Sequence, residues 1–489
     1  MKPKVMVIAL LLALAVVLGC AAATAATASA GPTAPDGRYL VVFKSSTLPS
    51  DAARRVVNSG GKVVRSFQQI GVVSAIGDAS FVGSMARDAK VLSVGPEHVF
   101  DAPDGKVVEF TDEFAVPEAA LGPVPAVDTY YIYWQWDIRR VGAPAVWARL
   151  PLSAATPRVA LLDVGVKDNH PDLVGQVDTS VATSYCPTAD GYPTYTTYID
   201  FDTHPNWTPA DGCTPLGFTD YEGHGTHVAG TIAAKFGGGR AVGVAPDAKI
   251  GAYKVFDIYA YQGKLYVGAF DGPIFAAIID ATLEGYRVIS MSLGSYGIRN
   301  DKDYNASWLA WDRVAKWANR NGTLIVASAG NTPVSLNGTL FHIPSDLPTV
   351  VSTSATATSR LEGSYPGPFD AAPGSDFLAS YSSYGAAVDI AAPGGDCPPS
   401  GECYLGPYGY PIYWIMSDYI GGTGTSGYAW ATGTSMATPH VSAVAAWVFA
   451  MHPHWTPGKV RSWLKTTAEA IDSRQRFGSG MVNADAATR

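Results

Sequence analysis

From Arg158 onward, apolar runs of strand length alternate with stretches of helical periodicity. Val159-Ala160-Leu161-Leu162, Lys249 to Phe256, Arg287 to Leu293, Thr323 to Ser328 and Val388-Asp389-Ile390 are short and largely apolar, as strands covered on both faces must be. Between them, Ile274 to Leu283 and Trp308 to Ala318 repeat apolar residues at the spacing of a helix face. Buried strands separated by helices predict an α/β fold, with a doubly wound, mostly parallel sheet and helices on both faces. Functional groups in such sheets collect at the carboxyl ends of strands, which is where Asp163, Gly294 and Asn331 fall.

The chain before Arg158 follows other patterns. Lys2 and Lys4 precede an uninterrupted apolar run from Val5 to Leu18, the charge and length of a secretory signal. Cleavage after Ala28-Ser29-Ala30 would remove residues 1–30. Cleavage before Cys20, in Val17-Leu18-Gly19-Cys20, would remove residues 1–19 and leave a lipid-anchored cysteine at the cell surface. Residues 37–100 read as a small α+β unit: strand Arg38 to Lys44, helix Asp51 to Asn58, strand Gly61 to Arg65, helix Ser80 to Ala89 and strand Val91 to Val94. Residues 101–129, rich in Pro, Ala and acidic side chains without a sustained period, read as a linker. The domain from 130 to 489 follows.

Charge removes one class of partner. The net charge is -8 over 489 residues with no block of Lys or Arg, so a phosphate backbone has nothing to bind and nucleic acid is excluded as a partner. Export places the cysteines in an oxidising compartment. Four remain beyond Cys20, and we expect the local pairs Cys186 with Cys213 and Cys397 with Cys403, each inside its own Gly/Pro/Tyr-rich loop. A zinc site built on these thiols would want a C-x-x-C pair, and there is none.

Three stretches carry candidate chemistry. Gly223-His224-Gly225-Thr226-His227-Val228-Ala229-Gly230 sets two histidines three apart, a spacing that lacks the carboxylate of a zinc helix. Leu161-Leu162-Asp163-Val164-Gly165 puts a carboxylate directly after a buried strand, where it needs partners. Gly433-Thr434-Ser435-Met436-Ala437-Thr438-Pro439-His440 leads into the apolar helical run Val441 to Ala450, with Ser435 at the helix N-terminus.

Taken in order, Asp163, His224 and Ser435 with these flanks resemble the three catalytic motifs of the subtilisin-like serine proteases. Ser292-Leu293-Gly294 is similar to the family's substrate-binding strand, and Ser328-Ala329-Gly330-Asn331 to its oxyanion asparagine motif. Tyr381 to Gly385, Ala392-Pro393-Gly394 and Gly480 to Ala484 match later segments, so the likeness runs from about Trp134 to Ala487. Residues 37–100 resemble, more loosely, the family's ferredoxin-like inhibitory propeptide.

The resemblance implies a secreted serine endopeptidase, made as a self-processing zymogen, monomeric and acting on protein or peptide substrates. His224 would be the base, with Asp163 fixing its tautomer, Ser435 the nucleophile, and Asn331 with the Ser435 backbone N–H the oxyanion donors. Ser292, Leu293, Gly294, Ala329 and Gly330 would bind substrate, and His227 would be structural. No cofactor is required, and structural calcium is the ion the family allows, although no D-x-[DN]-x-[DN]-G loop is present.

Several positions depart from the pattern. Val164 stands where Ser or Thr is usual. Insertions run from about Tyr185 to Gly217 and from about Gly395 to Ala431, each carrying two cysteines. His342 aligns near the base of the primary specificity pocket, where it would either form a polar floor or point away in a loop. The reading from a different class is a catalytically inactive module that binds partners through the insertions; the intact Asp163, His224, Ser435 and Asn331 argue against it.

Overall fold

The computed structural model describes residues 37–101, 105–109, 134–149, 157–181, 183–184, 218–220, 222–261, 264–363, 369–401, 403, 411–420 and 424–489. In the N-terminal unit, β1 (Arg38–Phe43), β2 (Lys62–Phe67), β3 (Val72–Ile76) and β4 (Val91–Pro96) form an antiparallel sheet in the order β2-β3-β1-β4. Helix α1 (Ala52–Asn58) joins β1 to β2, and α2 (Ala79–Arg87) joins β3 to β4, giving the expected ferredoxin-like unit. The sequence pattern missed β3. It is a central strand, buried along almost its whole length, and so shows no alternation of apolar and polar residues.

Successive residues of β1 serve different cores. Val41 and Phe43 pack with Val56, Phe81 and Met85 of the unit's own helices. Leu40 and Val42 turn the other way, into a core shared with α4 (Asp271–Leu283) and α5 (Lys302–Arg320). There Trp311 lies between Phe100 and Phe275, at ring-centroid distances of 5.4 and 5.0 Å. Aromatic rings of this size bury about 150–250 Å² each, an upper estimate of roughly 4–6 kcal/mol of transfer free energy. Glu97 adds a polar tie by accepting from the N–H of Gly272 in the first turn of α4 (2.8 Å).

The main sheet runs in the order β11 (Asp376–Leu378), β10 (Val350–Thr358), β9 (Leu324–Ser328), β8 (Val288–Met291), β5 (Arg158–Asp163), β7 (Lys249–Lys254), β6 (Thr183–Ser184), with β12 (Ile390–Pro393) also beside β10. Every pairing is parallel except β10 with β11. Val159 and Leu161 of β5 face α3 (His224–Ala233) and α6 (Thr434–Met451), while Ala160 and Leu162 face α4 and α5. The doubly wound prediction holds, and only bounds shift: the strand expected at Val388 to Ile390 spans Ile390–Pro393. Strand β10 was not anticipated. Its sequence VVSTSATAT is fully buried, yet its hydroxyls mask it as a polar loop.

Inside the expected linker, Val107–Glu109 is a strand that pairs antiparallel with Ala429–Ala431. Its order comes from this docking, since Val107 and Glu109 are themselves exposed. Cys397 and Cys403 form the expected disulfide. The other expected pair, Cys186 with Cys213, the signal segment and Cys20 lie outside the described residues.

Candidate active site

Asp163 is the last residue of β5 and is buried. Its Oδ1 accepts the N–H of Val164 (2.8 Å) and lies 2.8 Å from Nδ1 of His224, which must carry the proton because a carboxylate only accepts. The other oxygen, Oδ2, is buried with no hydrogen-bond partner. His224 opens α3, and the helix start is held by Asp220, which the sequence reading missed. That carboxylate accepts from Gly223 N (2.8 Å), Thr226 N (2.9 Å) and Thr226 Oγ1 (2.6 Å), satisfying donors that a helix leaves unpaired at its first turn. Gly225 lets the helix approach the loop after β5: a Cβ there would overlap the Gly165 carbonyl oxygen and lie 3.1 Å from Asp163 Oδ1.

A second missed residue is Glu222, half-buried beside the histidine and accepting its backbone N–H (2.9 Å). Its only sequence signal is a carboxylate two positions before His224. Burial pushes its pKa up to about 7, against the attraction of His224. For His224, burial opposes the charged form, but the Asp163 carboxylate, seconded by Glu222 and Asp220, outweighs it and pushes the pKa up to about 9. The two histidines of the motif thus part company. His227, fully enclosed, is driven down to about 3 by burial and is a neutral donor to the Ile415 carbonyl (3.1 Å).

Ser435 sits in the first turn of α6, which begins at Thr434. Pro439, four residues on, lacks the N–H that would pair with the Ser435 carbonyl. Ser292 Oγ donates to that carbonyl instead (2.7 Å), while Ser435 Oγ donates to the Ser292 carbonyl (3.3 Å). The candidate nucleophile and the segment after β8 are thereby tied in both directions. No hydrogen bond joins Ser435 to His224, and Nε2 of His224 is buried without a hydrogen-bond partner.

Asn331 follows β9 by three residues. Its Oδ1 accepts both the N–H (2.8 Å) and the hydroxyl (2.7 Å) of Thr434, which commits the amide oxygen to α6 and turns Nδ2 the other way. Leu293 and Ala329 are buried supports at their strand ends, and Ala329 donates to the Thr353 carbonyl (3.0 Å). His342 points inward. Its ring occupies the space a Cβ would need at Gly294 and closely approaches Gly330, with Nδ1 bonded to Ser345 Oγ (2.8 Å). Burial pushes its pKa down to about 3, so a neutral imidazole lies between the two candidate binding segments.

A segment of the chain itself reaches this site. Val99–Asp101 pairs antiparallel with Gly268–Phe270, and beyond it Val107–Glu109 pairs with Ala429–Ala431, while Thr432 N donates to the Lys106 carbonyl (3.0 Å). Gly105 and Val107 line one small cavity together with Glu222, Tyr419, His224 and Ser435.

The Peptidase_S8 model, described as the subtilase family, matches residues 155–480. The chain belongs to the subtilase family. As a subtilase it is a serine-type endopeptidase, a hydrolase of peptide bonds. It is 27% identical to subtilisin NAT of Bacillus subtilis subsp. natto over 492 aligned positions covering all of both chains. It is 32% identical to subtilisin BL of Lederbergia lenta over 72% of this chain and 98% of that one. Among solved structures, fervidolysin from Fervidobacterium pennivorans, described as a keratinolytic enzyme, aligns at TM-score 0.63 and 27% identity over 93% of this chain and 61% of its own. The epidermin leader peptide processing serine protease of Staphylococcus aureus shares the fold at TM-score 0.66 and 21% identity, over 93% and 98% of the two chains.

Subtilases commonly hold calcium, and the fit of this chain can be tested on its donors. Among the described residues, one group could ligate a metal: His170, Asp172 and Asp418, all buried. Calcium takes six to eight oxygens. Here one carboxylate oxygen of Asp172 is already filled by three donors, the backbone N–H groups of Arg240 and Ala241 (3.2 Å each) and Tyr428 OH (2.9 Å). Three carboxylate oxygens and an imidazole nitrogen remain, a set that does not fit calcium.

Proposed function

We propose that this subtilase is an exported zymogen whose hydrolysis runs through Asp163, His224 and Ser435, and that its first substrate is its own chain between Asp101 and Lys106. The supporting observation is the double ladder: chain segments pair as strands on either side of this interval, and Gly105 shares a cavity with His224 and Ser435. Residues 37–100 would then act as an inhibitor held against α4 and α5, and residues 1–30 or 1–19 would be the export signal.

The chemistry follows from the distances. His224 must first lose its extra proton, so that Nε2 carries a lone pair while Nδ1–H stays on Asp163. A rotation of the Ser435 side chain from the Ser292 carbonyl toward Nε2 gives the base its proton. Ser435 Oγ bonds to the scissile carbonyl carbon, and the carbonyl oxygen takes up negative charge. Nδ2 of Asn331 and the Ser435 N–H donate to that oxygen. As the C–N bond breaks, His224 passes its proton to the leaving amine, and water attacking the ester by the same route frees Ser435. Neutral His342 narrows the pocket beneath Gly294 and Gly330 and favours compact side chains before the cut.

The test is secretion of the full chain and of Ser435→Ala, with the mature N-terminus read by mass spectrometry. The parent should begin between residues 102 and 106 at its first cut, and the variant should accumulate uncut. Correct trimming of purified Ser435→Ala would assign the cut to another protease. A soluble mature chain beginning beyond Ala30 would exclude an anchor at Cys20.

A further inference from the structure

The three donors that do not suit calcium are themselves unusual. Asp418 stands on the strand Ile415–Ile420, paired with Tyr428 across a hairpin, and is fully buried against α3. A Cβ on Gly230 of α3 would lie 2.8 Å from its carboxylate carbon, so nothing larger than hydrogen separates helix and carboxylate. Neither oxygen of Asp418 has a hydrogen-bond partner, and Oδ1 of Asp172 has none either. Three buried carboxylate oxygens thus face one another unpaired, negative charge crowded without a cation.

His170 supplies the discriminating detail. Its Nε2 lies 2.9 Å from the Gly427 carbonyl, which can only accept, so Nε2 carries the proton. Nδ1 is then the lone-pair atom, as the long 3.3 Å contact from the Asp172 N–H onto it requires. Yet Nδ1 also lies 3.6 Å from Oδ1 of Asp418, two lone-pair atoms facing each other in a dry interior. An imidazole with its outer N–H on a backbone carbonyl is the usual way a metal-ligating histidine is fixed. The candidate ligand atoms of the three residues all lie within 4.8 Å of one another. Around a tetrahedral ion at about 2.0–2.1 Å from each donor, neighbouring donors stand about 3.4 Å apart, so small side-chain rotations close the site.

We propose that Nδ1 of His170, Oδ1 of Asp172 and the carboxylate of Asp418 form a closed structural site for a divalent transition metal of the zinc class. Mixed nitrogen and oxygen donors of this kind suit zinc, with the two oxygens of the Asp418 carboxylate sharing one corner of the coordination sphere. The ion would pin the hairpin that carries Ala429–Ala431 to α3 and to the loop after β5, and so rigidify both walls of the cleft.

The test uses the full-length Ser435→Ala chain, which does not digest itself. It is stripped with chelator, dialysed against zinc chloride or calcium chloride, then examined for bound metal and for thermal unfolding. Zinc should bind at one per chain and raise Tm by about 5 °C at a hundredfold excess over Kd. Asp418→Asn should weaken zinc binding by at least a hundredfold, yet melt no lower than its parent in chelator, because it removes one of two crowded charges. His170→Gln should lose zinc binding as well, which keeps the test alive if the first variant folds poorly. A Tm indifferent to zinc, or zinc bound equally by both variants, would overturn the site. So would full stabilisation by calcium alone. A shared proton between Asp172 and Asp418 in place of metal would show as a Tm that falls with rising pH and ignores zinc.

Discussion

Val164 is where one added atom should speak most clearly. Asp163 keeps two bonds on Oδ1, to Val164 N and His224, while Oδ2 is buried without a partner. Val164→Thr nearly preserves shape and can present a hydroxyl to that carboxylate. A hydrogen bond to a charged acceptor contributes about 1.5–3 kcal/mol. Replacing a buried methyl group forfeits roughly 0.8 kcal/mol. The net gain is about 0.7–2.2 kcal/mol of stability, a rise in Tm of roughly 1–5 °C for a chain of this size. The effect on rate is smaller, because the carboxylate is already oriented through Oδ1. We expect kcat/KM near pH 8 to rise by less than about tenfold, under 1.4 kcal/mol. The assay pairs hydrolysis of a chromogenic peptide with thermal unfolding in the Ser435→Ala background. Val164→Ala is the control that loses packing and adds no donor. Unchanged or lower activity together with an unchanged Tm would refute the argument, since Oδ2 would then already be satisfied.

The site supports four further expectations. Glu222→Gln removes a negative charge that holds the His224 proton, so the acid limb of the rate profile should move down by about half to one pH unit; a limb that stays put would deny Glu222 this influence. His224 has a folded pKa raised above its unfolded value of about 6.5, so its stabilising contribution is complete below that pH and is lost as pH climbs through about 9. The Ser435→Ala precursor should accordingly show Tm falling across this window, and a flat profile would contradict it. Gly225→Ala must force α3 from the Gly165 carbonyl and should cut kcat by at least a hundredfold with smaller loss of Tm, measured against the parent on one substrate. His342→Gly should open the space beneath Gly294 and shift preference toward larger residues before the cut, read from a peptide library; identical preferences would place His342 outside the specificity pocket.

Legibility in the sequence followed chain locality. The motifs around Asp163, His224 and Ser435 could be read because each is a strand end or helix start with its own glycines and apolar run. Apolar strands were visible for the same reason. Strand β10 was hidden because Ser352, Thr353 and Ser354 find their surroundings only once the sheet is assembled, and β3 because a doubly covered strand has no alternation. Glu222 and Asp220 look like ordinary loop acids until burial and the turn of α3 give them work. His170, Asp172 and Asp418 come from opposite ends of the domain and meet only in the fold. The inward turn of His342 likewise depended on the pairing of Tyr296 with His342, which no local pattern announces.

If the chain cuts itself as proposed, the two short ladders on either side of that interval, three residue pairs each, also set the kinetics of maturation. Cleavage within one molecule is first order, so its half-time should not change when the precursor is diluted. Once the peptide bond is gone, each fragment stays only by noncovalent contact, and its departure obeys mass action. On that proposal dilution should act as an activator and crowding as a restraint, and the delay between cutting and the first appearance of activity should measure a dissociation rate, not a chemical one.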